Sequence, residues 1–142
     1  MLNQLSPTPI QNTTVNFRNQ VPSVEEAFIS QLYEVLAEKA FDAQYSVPKL
    51  CRDVGMSSSN LYRKVTAITG KSTIEVIVSI RMDRAKQLLN SSLQVSEVAY
   101  ECGFEDPDYF SRAFSKRFGV SPTRFRKQLY NLCLINQKLL QI

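Results

Sequence analysis

Two short clusters in this chain carry side chains suited to reading a polar surface: Ser59, Tyr62 and Arg63, and later Pro107, Asp108, Ser111 and Arg112. Successive members are separated by one or three positions, which places each cluster near one face of a helix. An arginine on such a face can hold guanine O6 and N7 together, serine and tyrosine offer adaptable hydrogen bonds, and a carboxylate can accept from cytosine N4. Asp108 also suits the positive end of a helix, where it would support capping. The plainer alternative is a pair of solvated faces, since arginine and serine decorate most exposed helices. Ser58 lies beside the first cluster.

A second set of residues could contact phosphate. Lys64, Lys71, Lys116, Arg117 and Arg124, with Arg126 and Lys127, can neutralise it, which sets affinity and register without choosing sequence. Ser72 and Ser121, each at the start of a helical pattern, can add backbone N–H groups toward an anion, with Thr123 in the first turn after Ser121. The balance of 17 basic to 13 acidic residues gives a net charge of +4, compatible with a polyanion partner without demanding one.

Other chemistries have few candidates. The sequence contains no histidine, which removes Ser-His and Cys-His nucleophiles and most transition-metal sites. It has no phosphate loop and no convergent carboxylate pair, so the chain is expected not to be an enzyme and to need no cofactor. Glu101, Glu105, Asp106 and Asp108 form an acidic group without the spaced ligands of a hard-cation loop. Three cysteines cannot all pair, and Cys51 and Cys102 fall at apolar helical positions where a free thiol packs as a small hydrophobe. No run approaches the about 18 apolar residues of a membrane span, and the N-terminus lacks a secretion signal, so a cytoplasmic location is expected.

The elements that must hold these clusters are punctuated by glycine. The four glycines form two pairs, Gly55 with Gly70 and Gly103 with Gly119, at separations of 15 and 16 residues. Val47 to Gly55 aligns with Val95 to Gly103, and Asn60 to Val65 with Tyr109 to Phe114, so Arg63 falls on Arg112. Two copies of a helix, tight turn and helix follow, too few for a solenoid, which needs about three or more. Leu50, Cys51 and Val54, then Leu61 and Val65, point inward in the first copy.

Residues 1–22 are polar, without apolar period, and read as a linker or disordered arm. A capping box at Ser23 to Glu26 opens a first helix to about Ala40, through Phe28, Leu32 and Leu36. The first helix-turn-helix lobe thus covers 23–71. Ser72 to Glu75 opens the longest uninterrupted helical pattern, a connecting helix over 72–91 with Val76, Ile77, Ile80, Ala85, Leu88 and Leu89 inward. The second lobe covers 92–130, with Asp106-Pro107 and Ser121-Pro122 starting its later helices and Phe125 and Leu129 inward. The tail, 131–142, is apolar enough to pack or self-associate. No strand is convincing, so the fold class is all-α. A competing reading of the whole chain is a helical protein-interaction module that docks through Leu132, Leu134, Ile135, Leu139 and Leu140.

At these residues the chain resembles the C-terminal DNA-binding domain of the AraC/XylS family of bacterial transcription regulators. Val95-Ser96-Glu97-Val98-Ala99-Tyr100, Gly103-Phe104, Asp106-Pro107, Tyr109 to Phe114, Phe118-Gly119 and Ser121-Pro122 carry the likeness, extended by Leu61 to Lys64, Thr69-Gly70 and Arg81 to Ala85. The resemblance covers about residues 25 to 128. It implies about seven helices, two lobes joined by a central helix, and outer helices in successive major grooves of double-stranded DNA. The two clusters become base-reading candidates by position. It further implies an activator that contacts RNA polymerase, and a sensor, receiver or dimerisation domain elsewhere, as in two-component regulators of this family. Thr73 stands where the family usually has proline, and Ser115 where a basic residue is common, which puts phosphate contact at that second position in question.

Overall fold

Five of the seven described helices begin at a small polar side chain that caps them, and the two outer helices end on glycine. A computed structural model describes residues 21–141, and the described residues form seven helices and no strand. They are α1 (Val24–Lys39), α2 (Val47–Val54), α3 (Ser58–Thr69), α4 (Thr73–Leu88), α5 (Val95–Glu101), α6 (Pro107–Phe118) and α7 (Pro122–Leu140). The arm expected over 1–22 lies, apart from Val21 and Pro22, outside the described residues.

Ser23 and Ser72 close reciprocal capping boxes with Glu26 and Glu75. Ser57, Asp106 and Ser121 each accept a hydrogen bond from an amide of the first turn that follows. Such a cap contributes about 1 kcal/mol and fixes the register of the turn before it. Gly55, Gly70 and Gly119 end α2, α3 and α6 in the left-handed conformation. The second turn differs from the first, because α5 ends on Cys102 in a right-handed conformation and Gly103 follows it at φ 90°.

Two cores result. The first gathers Phe28, Leu32 and Leu36 of α1, Leu50 and Cys51 of α2, Leu61 and Val65 of α3, and Val76 and Ile77 of α4. The second gathers Met82, Ala85 and Leu89 with Val98, Ala99, Cys102, Phe104, Phe110 and Phe114. α4 is therefore more than a connector: its N-terminal half is a wall of one core and its C-terminal half a wall of the other. Met82, fully buried, is an apolar inward position that the period did not mark, Thr73 and Ser79 are buried polar ones, and Ile80 and Leu88 are only partly buried.

Neither is α4 the longest helix. It has 16 residues, and α7 has 19, because the apolar tail continues the last helix without a break and the boundary drawn at 130 falls inside it. Every residue from Asn131 to Leu140 is exposed, so this extension adds nothing to either core. Cys51 and Cys102 are buried free thiols, and burial pushes the Cys102 thiol up to about 11; Cys133 is exposed. No described helix is long and apolar enough to cross a membrane.

Candidate nucleic-acid interface

The two outer helices, α3 and α6, are held in the same way. Each rests on two buried residues one turn apart, Leu61 and Val65 in α3 and Phe110 and Phe114 in α6, all with no exposed surface. Fixing that inner stripe fixes the face left to solvent. In α6 the anchor is reinforced by aromatic packing: the Phe114 ring lies 4.6 Å from Phe118 and 5.5 Å from Phe125, both edge-on.

On the free face of α3 stand Ser59, Tyr62 and Arg63, all exposed, with Ser58 beside them. Arg63 is not loose: its Nη2 donates to Asn60 Oδ1 at 2.6 Å, one turn earlier. Asn60 was not singled out in the sequence, although its position three residues before Arg63 was signal enough. The bond pre-orients the guanidinium along the helix face while leaving its other donors free, reducing the rotamer freedom lost on binding. On α6, Asp108 and Arg112 are exposed, and Pro107 and Ser111 are partly so. Arg63 and Arg112 thus occupy the same helical position in two similarly anchored helices.

The leading edges of the two helices differ. The first turn of α3 has no acidic residue, whereas α6 begins with Asp106 as cap and Asp108 one residue into the helix. Asp106 is the cap, as expected, its Oδ1 accepting from the Asp108 amide at 2.9 Å, and Asp108 adds its carboxylate to the first turn. The Asp108 carboxylate is left facing solvent. Tyr109, also missed, is half exposed and lies 6.3 Å from the Phe104 ring.

The candidate phosphate contacts fall into three groups. Lys116, Arg117, Thr123 and Arg124 are exposed around the end of α6 and the start of α7, where Ser121 accepts from the Arg124 amide and no acidic residue occupies the first turn. Lys64 and Lys71 are partly committed: the Lys64 ammonium sits 4.6 Å from the Phe28 ring centroid, and Lys71 Nζ lies 3.4 Å from Ser79 Oγ. Lys71, in the link between α3 and α4, nonetheless shares a cleft with Arg117 and Tyr109 of α6, with Glu75 of α4 also lining it. Ser72 gives its amide to Glu75 Oε2 at 2.7 Å, so the start of α4 carries its own carboxylate where α7 has none.

Arg126 belongs to neither class. Its Nε donates to Leu89 O at 3.0 Å and its Nη2 to Leu93 O at 2.6 Å, so the guanidinium closes the end of α4 instead of reaching for phosphate. Ser115, at the position that departs from the resemblance, turns its hydroxyl back to donate to Ser111 O at 2.8 Å.

Comparison with known proteins sharpens this arrangement. Residues 50–128, which span both turns and both outer helices, match the family described as a helix-turn-helix domain. The chain belongs to the AraC-type helix-turn-helix family of DNA-binding transcription regulators. Among AraC-type relatives, the HTH-type transcriptional activator RhaR of Enterobacter sp. is 31% identical over 76% of this chain and 38% of its own length. A histidine kinase P4 of Formosa agariphila is 28% identical over 76% of this chain but only 8% of its own, so the chain spans well under half of these curated relatives. The C-terminal domain of AraT, a response regulator from Geobacillus stearothermophilus, superposes with a TM-score of 0.69 at 26% identity, over 75% of this chain and 88% of that domain. The DNA-binding domain of AdpA, a global transcriptional factor solved in complex with a target DNA, superposes with a TM-score of 0.63 at 30% identity, over 69% and 91%.

Proposed function

We propose that this chain is the sequence-specific, double-stranded DNA-binding part of a bacterial transcription regulator, with α3 and α6 entering successive major grooves on one face of the duplex. The observation that carries the reading is the pairing of Arg63 and Arg112: equivalent positions on two capped, exposed helices, each fixed on its core by two buried anchors. A helix fits the width of the major groove, and residues of its N-terminal half reach base edges. Ser59, Tyr62, Pro107, Asp108 and Ser111 complete the two reading faces. Lys64, Lys71, Lys116, Arg117, Thr123 and Arg124, with the helix starts at Ser72 and Ser121, hold phosphates, and the α7 start, free of carboxylate, is the stronger anion site.

The regulator acts as an activator that contacts RNA polymerase, in the cytoplasm. That the relative RhaR is a transcriptional activator supports that sign of regulation. A sensor, receiver or dimerisation domain belongs to the same regulator, and the response-regulator domain of AraT and the much greater length of the histidine kinase relative support a two-component setting.

Binding to a selected duplex and to random duplex, measured by fluorescence anisotropy across salt concentrations, tests the roles separately. Arg63→Ala or Arg112→Ala should weaken specific binding by about 1 to 3 kcal/mol and relax base choice in one half of the site. Lys116→Ala should weaken all sequences alike and reduce the salt slope by about one. Equal losses on specific and random duplex for Arg112→Ala would remove its base-reading role.

A further inference from the structure

Repeated turns should have repeated surroundings, and here one does not. A Cβ placed on Gly55, Gly70 or Gly119 would meet nothing within 4 Å, but on Gly103 it would come within 2.9 Å of Arg81 Nε and 3.0 Å of Phe41 O. Gly55 and Gly103 are equivalent positions in the two copies. The first turn is open on that side, and the second is seated on the lobe before it.

What it is seated on is an arginine held from the other side. Arg81, partly buried on α4, donates through Nε to Ala40 O at 2.6 Å and through Nη2 to Asp42 O at 3.0 Å and Tyr45 O at 3.3 Å. Those carbonyls form the end of α1 and the turn into α2. The Arg81 guanidinium also lies 5.9 Å from the Phe104 ring centroid, next to Gly103. At the rim, Gln44 Nε2 donates to Glu105 Oε1, a second tie between the same two turns. Arg126 closes the end of α4 with a comparable fork, yet only Arg81 has the turn of the other lobe packed against it.

We propose that Arg81 and Gly103 form a strut that fixes the separation and rotation of α6 relative to α3, and so sets the spacer length between the two DNA boxes the protein accepts. The turn at residues 103–105 leads directly into the Asp106 cap of α6, and the turn at residues 40–45 leads into α2 and through it α3. Locking one turn on the other locks the two reading helices. Each base pair added between boxes rotates the second by about 35° around the duplex axis, which a rigid pair of helices cannot follow. Mis-spaced DNA must then either deform or lose one set of contacts. Arg81 and Gly103 are positioning residues; neither is among the residues proposed to touch DNA.

The proposal rests on both outer helices binding DNA, and its test separates the two claims. Affinity is measured on duplexes carrying both boxes with the spacer changed by one base pair in either direction, and on duplexes carrying one box, for the unmodified chain, Arg81→Lys and Gly103→Ala. The unmodified chain should lose about tenfold or more per base pair of mis-spacing, as expected when one set of base contacts is lost. Both variants should accept all three spacers within about threefold while keeping single-box affinity, the scale of a lost positioning contact. Should Gly103→Ala fail to fold, Gln44→Ala combined with Glu105→Ala, both at exposed positions, should flatten the spacer profile in the same direction. A variant profile identical to that of the unmodified chain overturns the strut alone. No binding of the unmodified chain to any two-box duplex overturns the DNA-binding reading, and the strut with it.

Discussion

Arg126 shows how much a single side chain's partners decide. Its sequence context, among Arg124 and Lys127 just after a helix start, suits phosphate binding, but Nε and one Nη2 donor anchor the partly buried guanidinium to Leu89 O and Leu93 O. Arg126→Ala should therefore destabilise the fold by about 1 to 3 kcal/mol, since it strands partly buried carbonyls, while leaving the salt slope of DNA binding unchanged. Chemical unfolding together with a salt titration checks both halves. A change of about one in the salt slope with unaltered stability would return Arg126 to the phosphate set. The two candidate clusters lie on the outward faces of α3 and α6 because Leu61, Val65, Phe110 and Phe114 occupy the inner stripe, and the opposite face follows from helix geometry alone. The fork of Arg81 was not legible: its carbonyl partners lie 36 to 41 residues away, and no local pattern distinguishes such an arginine from a solvated one.

Among the elements, α1 and α2 are tied by a polar contact as well as by their shared core. Tyr45 donates its hydroxyl to Asp53 Oδ2 at 2.7 Å, and Lys39 Nζ lies 3.1 Å from Asp53 Oδ1. The Tyr45 hydrogen bond, then Lys39, holds the Asp53 carboxyl below the usual range, while burial, followed by Asp53, raises the Tyr45 phenol. A carboxyl lowered on folding contributes stability above its unfolded value, about pH 4, and that contribution is lost as pH falls through the folded value. Urea unfolding of Asp53→Asn should accordingly show a shallower fall in stability below about pH 4 than the unmodified chain, with little pH dependence of the difference above about pH 6. Parallel curves throughout would mean that folding does not hold the Asp53 carboxyl below its unfolded value. The start and length of most helices could be read from their caps. The double role of α4 could not, because an apolar period gives the inward face without saying that successive turns of it enter different cores.

For the whole molecule, the duplication seen in the sequence becomes two small cores sharing one helix, with equivalent arginines displayed by each. The copies are unequal in ways that matter for recognition. The first presents a serine-rich start to α3; the second presents an acidic, proline-started α6 and a turn seated on its neighbour. The most direct measurement is selection of bound sequences from a random duplex pool with the unmodified chain. Docking of both α3 and α6 predicts enrichment of two short boxes whose centres lie about one helical turn apart, 10 to 10.5 base pairs. Enrichment of a single box, or no enrichment over the starting pool, would contradict it.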